Sequence, residues 1–285
     1  MKKIHPLNVP LVIACLFVGF SIAGCQKNLD PQNIAAPLPD SVITGNLTLH
    51  YIYDAQERVI EERIDRLDSP NLIRRTYEYI GNDSLPWKRN TIFSSAGSAN
   101  YSAVFSYNNL GQKTYDSAFF VPSVNYNSFS VITFDHAVPG RLAVTKNLAF
   151  YSSIYTQKDT AFLNNNTGNI DSIRTYFNGM WGTTRYAPYD SRFNFLKALS
   201  INQCNYYMSL PNNYAELYTG INSHPDQLLD YFNTTYCTGF SWINYYNVTV
   251  GSGQYQYQFN ADNLPILRTL TNTNGINLTT RFVYR

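Results

Sequence analysis

The chain has 285 residues, of which 44% are hydrophobic, 15% aromatic and only 14% charged, with a formal charge of +2. Charged residues usually make up about a quarter of a globular chain, so Asn, Gln, Ser, Thr and Tyr must supply the polar surface, which fits a sheet protein outside the cytoplasm better than a cytosolic helical enzyme. Lys2 and Lys3 fall in a segment expected to be removed, and the remaining chain is near neutral; this argues against a nucleic-acid partner, which requires a basic face.

The N-terminus carries Lys2-Lys3 and then an apolar run over residues 11–22. That run is too short to cross a bilayer stably and fits a secretory signal. It ends in Ile22-Ala23-Gly24-Cys25, which resembles a bacterial lipobox. The resemblance implies a signal peptide over 1–24 and an acylated Cys25, so that the membrane is a partner through a lipid anchor. Gln26 and Lys27 follow, with no Asp to favour inner-membrane retention, and an outer-membrane lipoprotein is expected. Residues 25–45 hold Pro31, Pro37 and Pro39 among Asn, Gln and Ala and read as a flexible tether. No segment after residue 25 is apolar enough to span a bilayer as a helix.

From residue 46 onward an aromatic residue recurs before a turn. The marker rings are Tyr53, Tyr79, Tyr107, Phe134, Phe162 and Tyr189, at spacings of 26, 28, 27, 28 and 27, and Phe259 heads a last copy. Most are followed by Asp or Asn, whose short side chain bonds its own backbone and tolerates a left-handed conformation. Around the last copy Tyr255, Tyr257 and Phe259 alternate with Gln254, Gln256 and Gln258, so rings and amides take opposite sheet faces. A period near 27 accommodates two strands and two turns. The expected fold is all-β: an antiparallel meander of repeated hairpins, roughly 12–14 strands, in one large curved sheet or barrel over 46–285. The rhythm breaks after Tyr189. Helix-like patterns over 193–232, with Ser223-His224-Pro225-Asp226 as a helix start, predict one or two short helices that plug an opening or cover an edge.

The Tyr-Asp turns resemble YD-repeat hairpins. The layout of lipobox, tether, aromatic-Asp hairpins, Tyr189-Asp190-Ser191-Arg192-Phe193-Asn194 and Pro211-Asn212-Asn213 resembles secreted Bacteroidetes lipoproteins of unknown function with a porin-like or barrel-like sheet. The resemblance implies such a sheet and transfers no activity.

With Cys15 in the signal and Cys25 acylated, Cys204 and Cys237 remain and are expected to form a disulfide in an oxidising compartment. The alternative is a pair of buried thiols. His50, His136 and His224 lack metal-type spacing, so neither a metal nor another cofactor is expected. No nucleophile elbow, phosphate loop or dinucleotide fingerprint occurs. Glu61, Glu62, Asp65 and Asp68 interleave with Arg58, Arg63 and Arg66 and read as cross-strand ion pairs on a wetted face rather than as a hydrolase carboxylate pair. Asp40-Ser41-Val42 resembles an O-glycosylation signal of secreted Bacteroidetes proteins and places a sugar on Ser41 in the tether. Trp181, after Asn178-Gly179, reads as an exposed ring at a hairpin tip where a ligand could stack. The functional expectation is a monomeric outer-membrane lipoprotein with a non-catalytic binding or envelope-structural role, taking a glycan or apolar small molecule. A carbohydrate hydrolase and an integral outer-membrane β-barrel are the alternatives. Charges on both faces of Glu61-Glu62-Arg63 weigh against a lipid-facing wall there.

Overall fold

The computed structural model describes residues 37–94, 100–120, 129–150, 153–177, 180–194, 199, 235–244, 246, 248–273, 275 and 277–285. The strands are β1 (Pro39–Thr44), β2 (Leu47–Tyr53), β3 (Val59–Arg66), β4 (Ser69–Glu78), β5 (Lys88–Phe93), β6 (Tyr101–Tyr107), β7 (Lys113–Phe120), β8 (Phe129–Asp135) and β9 (Arg141–Phe150). They continue as β10 (Ser153–Leu163), β11 (Ile170–Phe177), β12 (Met180–Tyr186), β13 (Tyr189–Phe193), β14 (Thr235–Cys237), β15 (Gly239–Ile243), β16 (Thr249–Phe259), β17 (Pro265–Asn272) and β18 (Asn277–Tyr284).

Sixteen strands form one closed antiparallel barrel, as the hairpin rhythm predicts, with more strands than the 12–14 expected. Sequential hairpins make up most of the wall. Closure comes from β1, which pairs with β18 through Val42↔Phe282 and with β2 through Val42↔Leu49. The sheet thus begins at Pro39, inside the stretch read as tether and ahead of residue 46. The one discontinuity lies after β12. β13 and β14 leave the wall to pair as a two-stranded ribbon, and β12 meets β15 through Tyr186↔Phe240. Of the helix-like stretch over 193–232, Phe193 ends strand β13, and apart from Asn194 and Leu199 the rest, with His224 and Asp226, lies outside the described residues.

Directly paired residues on neighbouring strands share a face, so the register sorts the wall into inward and outward rows. One inward row runs Phe282, Val42, Leu49, Ile64, Ile73, Phe93. Its neighbour on the other face runs Ser41, His50, Arg63, Arg74, Ile92. The inward rows are buried in two apolar clusters: one is centred on Ile73, Tyr101 and Phe105, the other on Ile132, Val144 and Tyr255.

The marker rings precede the turns as predicted, and the turns are Asx turns. The Asp54 carboxylate accepts from the Gln56 and Arg58 amides, the Asn108 side chain from Leu110 and Gln112, and the Asn260 side chain from Asp262 and Leu264. The residue before the last donating amide turns left-handed: Gly111 has φ 72°, Asn263 60° and Glu57 61°. Only the last is costly, because a Cβ crowds the carbonyl there. At Asp54, burial pushes the carboxyl up, but the bonds from the Arg58 amide, its guanidinium and the Gln56 amide outweigh this and hold it below its ordinary value.

Candidate functional site

Three features of the barrel carry polar chemistry. The first is a girdle of buried charge inside the wall. Glu62 is 1% exposed and accepts from the Tyr77 hydroxyl at 2.5 Å and from Arg75 at 3.4 Å. Lys113 and Asp116, both fully buried, lie 3.3 Å apart, and Lys146 meets Asp159 at 2.7 Å. Rings take the cations' remaining faces: Arg89 lies over Tyr101 and Phe105, Lys113 over Phe105 and Phe134, and Arg268 over Tyr255 and Phe282. In a low-dielectric interior such charges persist only when opposed or solvated by dipoles and ring faces. Each of these three buried carboxylates faces a cation rather than a second carboxylate, and no group of three or more metal-ligating side chains occurs among the described residues.

The second feature is a belt of tyrosine hydroxyls at the rim of the Asx turns. Tyr53 donates to the Pro39 carbonyl at 2.7 Å, Tyr79 to Val59 at 2.7 Å, Tyr107 to Pro86 at 2.8 Å and Tyr284 to Pro265 at 2.7 Å. Tyr189 donates likewise to Ile170. Each bond reaches the start of a preceding strand and ties one hairpin to the next. Where the marker is Phe134, which has no hydroxyl, His136 Nε2 reaches the Lys113 carbonyl at 2.9 Å instead. Burial makes the Tyr53, Tyr189 and Tyr284 hydroxyls weaker acids and raises their pKa well above that of free tyrosine.

The third feature is the ribbon. Tyr236 packs 5.0 Å from Tyr257 and 5.7 Å from Phe259, Arg192 lies 4.1 Å over Phe259, and the Asn169 side chain donates to Thr235 Oγ1 at 2.8 Å. Tyr236 and Leu199 are buried in the same apolar cluster as Ile73. Beside the ribbon, a recess of about 420 Å³ is lined by Pro188, Thr238, Phe240, Ser252, Gln254 and Tyr255, among others. Its two rings stand 5.4 Å apart at 44°.

The residues singled out in the sequence fall as follows. Cys25 and Cys204 lie outside the described residues. Cys237 is buried, with Sγ 3.0 Å from the Gly239 carbonyl oxygen. Ser41 sits in β1, not in a tether, and is 5% exposed. Trp181 is the second residue of β12, opposite Tyr176. The acidic patch divides. Glu61 pairs with Arg74 at 2.6 Å and Asp65 with His50 and Arg63 on the wetted face, as expected, whereas Glu62 turns inward. Sequence reasoning passed over the buried charges and the tyrosine latches. The signal for the first was present: Arg75 and Tyr77 share the phase of buried Ile73, and Arg89 that of buried Phe93.

No family model and no curated protein matches the chain. Among solved structures, a porin-like protein from Bacteroides vulgatus superposes with a TM-score of 0.56 at 11% identity, covering 88% of this chain and 99% of that one. A porin-like protein from Bacteroides uniformis aligns with a TM-score of 0.39 at 10% identity, over 88% of this chain and 99% of that one. The first likeness is one of fold: a porin-like barrel.

Proposed function

We propose that the chain is an envelope lipoprotein whose porin-like barrel stands in water, held to the outer membrane by acylated Cys25, with a non-catalytic binding or structural role. The outward rows carry this reading. A lipid-facing wall presents an apolar band about 25 Å tall. Here the outward positions include Glu61, Arg63 and Arg74 on β3–β4, Glu78 and Lys88 paired at 2.7 Å on β4–β5, and Gln254, Gln256 and Gln258 on β16. A charged side chain at the bilayer midplane costs about 2–4 kcal/mol on a barrel wall, and Glu61, Arg63 and Arg74, which lie within their strands, sit where such a band would run, whereas Glu78 and Lys88 lie at its rim. The recess beside the ribbon supports a small polar ligand: the Thr238 and Ser252 hydroxyls and the Gln254 amide suit the hydroxyls of a sugar.

A spanning barrel is the second reading. It is favoured by the porin-like fold and by Ile52, Ile92, Phe119 and Phe129, which are exposed on the outer face. One experiment separates the two. The chain from Gln26 onward, secreted without its lipobox, is expected to purify as a soluble monomer without detergent; a requirement for detergent would hand the case to the spanning barrel. Palmitate labelling of the full chain, lost in Cys25→Ala, tests the anchor. The same preparation tests the Cys204–Cys237 bridge: intact unreduced peptides should stay joined, and free alkylation of both thiols removes it. The recess is tested by glycan-array binding that Gln254→Ala abolishes.

A further inference from the structure

The barrel has two rims, and the turns that follow the marker rings all open on one, here called the Asx rim, although Asn244 builds one Asx turn on the other. The chain enters the barrel at that rim: the Pro39 carbonyl at the start of β1 accepts from Tyr53, the Arg285 amide donates to the Leu38 carbonyl at 3.1 Å, and the Arg285 guanidinium lies 4.1 Å over the Tyr53 ring. Whatever precedes Leu38 therefore leaves from this rim. On it, three successive hairpins each raise one large apolar side chain: Ile80 (62% exposed), Leu110 (79%) and Val138 (52%). The flanking turns carry Gln56 and Glu57 on one side and Asn165 and Asn166 on the other, so the apolar arc is confined to these three.

We infer that this rim is the face that rests on the lipid surface, with Ile80, Leu110 and Val138 entering the headgroup layer. The inference rests on acylation of Cys25. The opposite rim also exposes apolar side chains, among them Leu67 and Val250, and tether geometry decides between the two. Taken as the coil its composition suggests, the stretch of roughly 13 residues from Cys25 to Leu38 would span about 20 Å. A wall of strands about eight residues long, tilted by about 40°, is itself about 20 Å high. An acylated Cys25 leaves the Asx rim at the headgroups with the tether free to fold back. The far rim could come down only with the tether held out at its full coil span along the wall, so chain entropy favours the Asx rim. Near the arc, Glu57, Asp83 and Asp135 stand against Arg141, so there is no basic surplus to seek anionic lipid. The matching surface is zwitterionic, and contact is by apolar insertion.

The test uses the full-length lipidated chain in phosphatidylethanolamine-rich vesicles. Leu110→Cys, Val138→Cys, Leu67→Cys and the mid-wall Thr133→Cys each carry a thiol-linked fluorophore, with the parent chain as blank, and lipids brominated near the headgroup serve as quenchers. The labels at 110 and 138 should be quenched roughly threefold or more beyond those at 67 and 133, with no loss in high salt. Three outcomes overturn the inference while leaving the anchor intact: vesicles that float with the protein but quench neither rim, quench 67 instead, or quench all four positions. Failure of the protein to float with vesicles overturns both.

Discussion

The wall from β2 to β11 and the joint from β12 to β15 start from the same ring-and-turn unit and finish differently. In the wall, each hairpin hands the chain to its neighbour, and a tyrosine, His136 or, at the Phe162 copy, the Leu163 amide bound to the Gly140 carbonyl ties the two together. At the joint the ring persists, since Tyr189 still donates to Ile170, but the strand after it departs into the ribbon. The barrel closes over the gap because β12 and β15 meet directly, with the backbone so close that a Cβ on Gly239 would stand 2.8 Å from the Ala187 carbonyl oxygen, and the Phe240 ring of β15 lies against Gly253 of β16, where a Cβ would stand 2.4 Å from it. The wall thus depends on a repeated local device, and the joint on close approach that only glycine permits.

The largest effect should come from the wall's interior. Glu62→Ala removes the buried carboxylate beside Arg75 and Tyr77 and is expected to cost about 3–5 kcal/mol in denaturant unfolding, and Glu62→Met with Arg75→Met should recover most of it. A double variant as unstable as the single one would mean that the pair does more than cancel charge. At the joint, Gly253→Val drives a side chain into Phe240 and should cost about 2–3 kcal/mol by overpacking; if Gly253→Val is neutral, the joint is looser than the wall and the contrast drawn above fails.

The latches rank next. Tyr79→Phe leaves the Val59 carbonyl without its donor and should cost about 1 kcal/mol. Tyr189→Phe should match it if the ribbon is held by the same device. Tyrosines whose ionisation is raised in the folded state stabilise it fully below their ordinary value of 10.0. That stability is lost as pH climbs above it, because the unfolded chain ionises first. Alkaline unfolding should therefore begin near pH 10 and weaken in the Tyr-to-Phe variants. Asp54, held below its ordinary value, works in the other direction: its contribution is present above the normal carboxylate range and fades as pH falls beneath it.

The turns offer a smaller gain. Glu57→Gly relieves a left-handed non-glycine residue and should stabilise by about 1 kcal/mol. The outer wall should respond least: Glu61→Ala removes a half-wetted pair with Arg74 and should cost at most about 1 kcal/mol, less in salt.

The period near 27 was legible because rings and Asx residues act within one turn. The inward charges were not, because alternation places Glu62, Arg75 and Arg89 on the buried face while their chemistry reads as exposed. Neither was β1. Pro37 and Pro39 mark a tether when read alone, and Pro39–Thr44 becomes a strand because β2 pairs with it on one side and β18, far along the chain, offers it an edge on the other.

Hairpins, turn chemistry and the all-β character follow from the amino-acid order, since each rests on contacts a few residues apart. Closure into sixteen strands, the departure of the ribbon and the burial of paired charges follow from the folded barrel alone. Each needs partners brought together across long stretches of chain, and an edge or a counter-charge exists only once the sheet has curled to supply it.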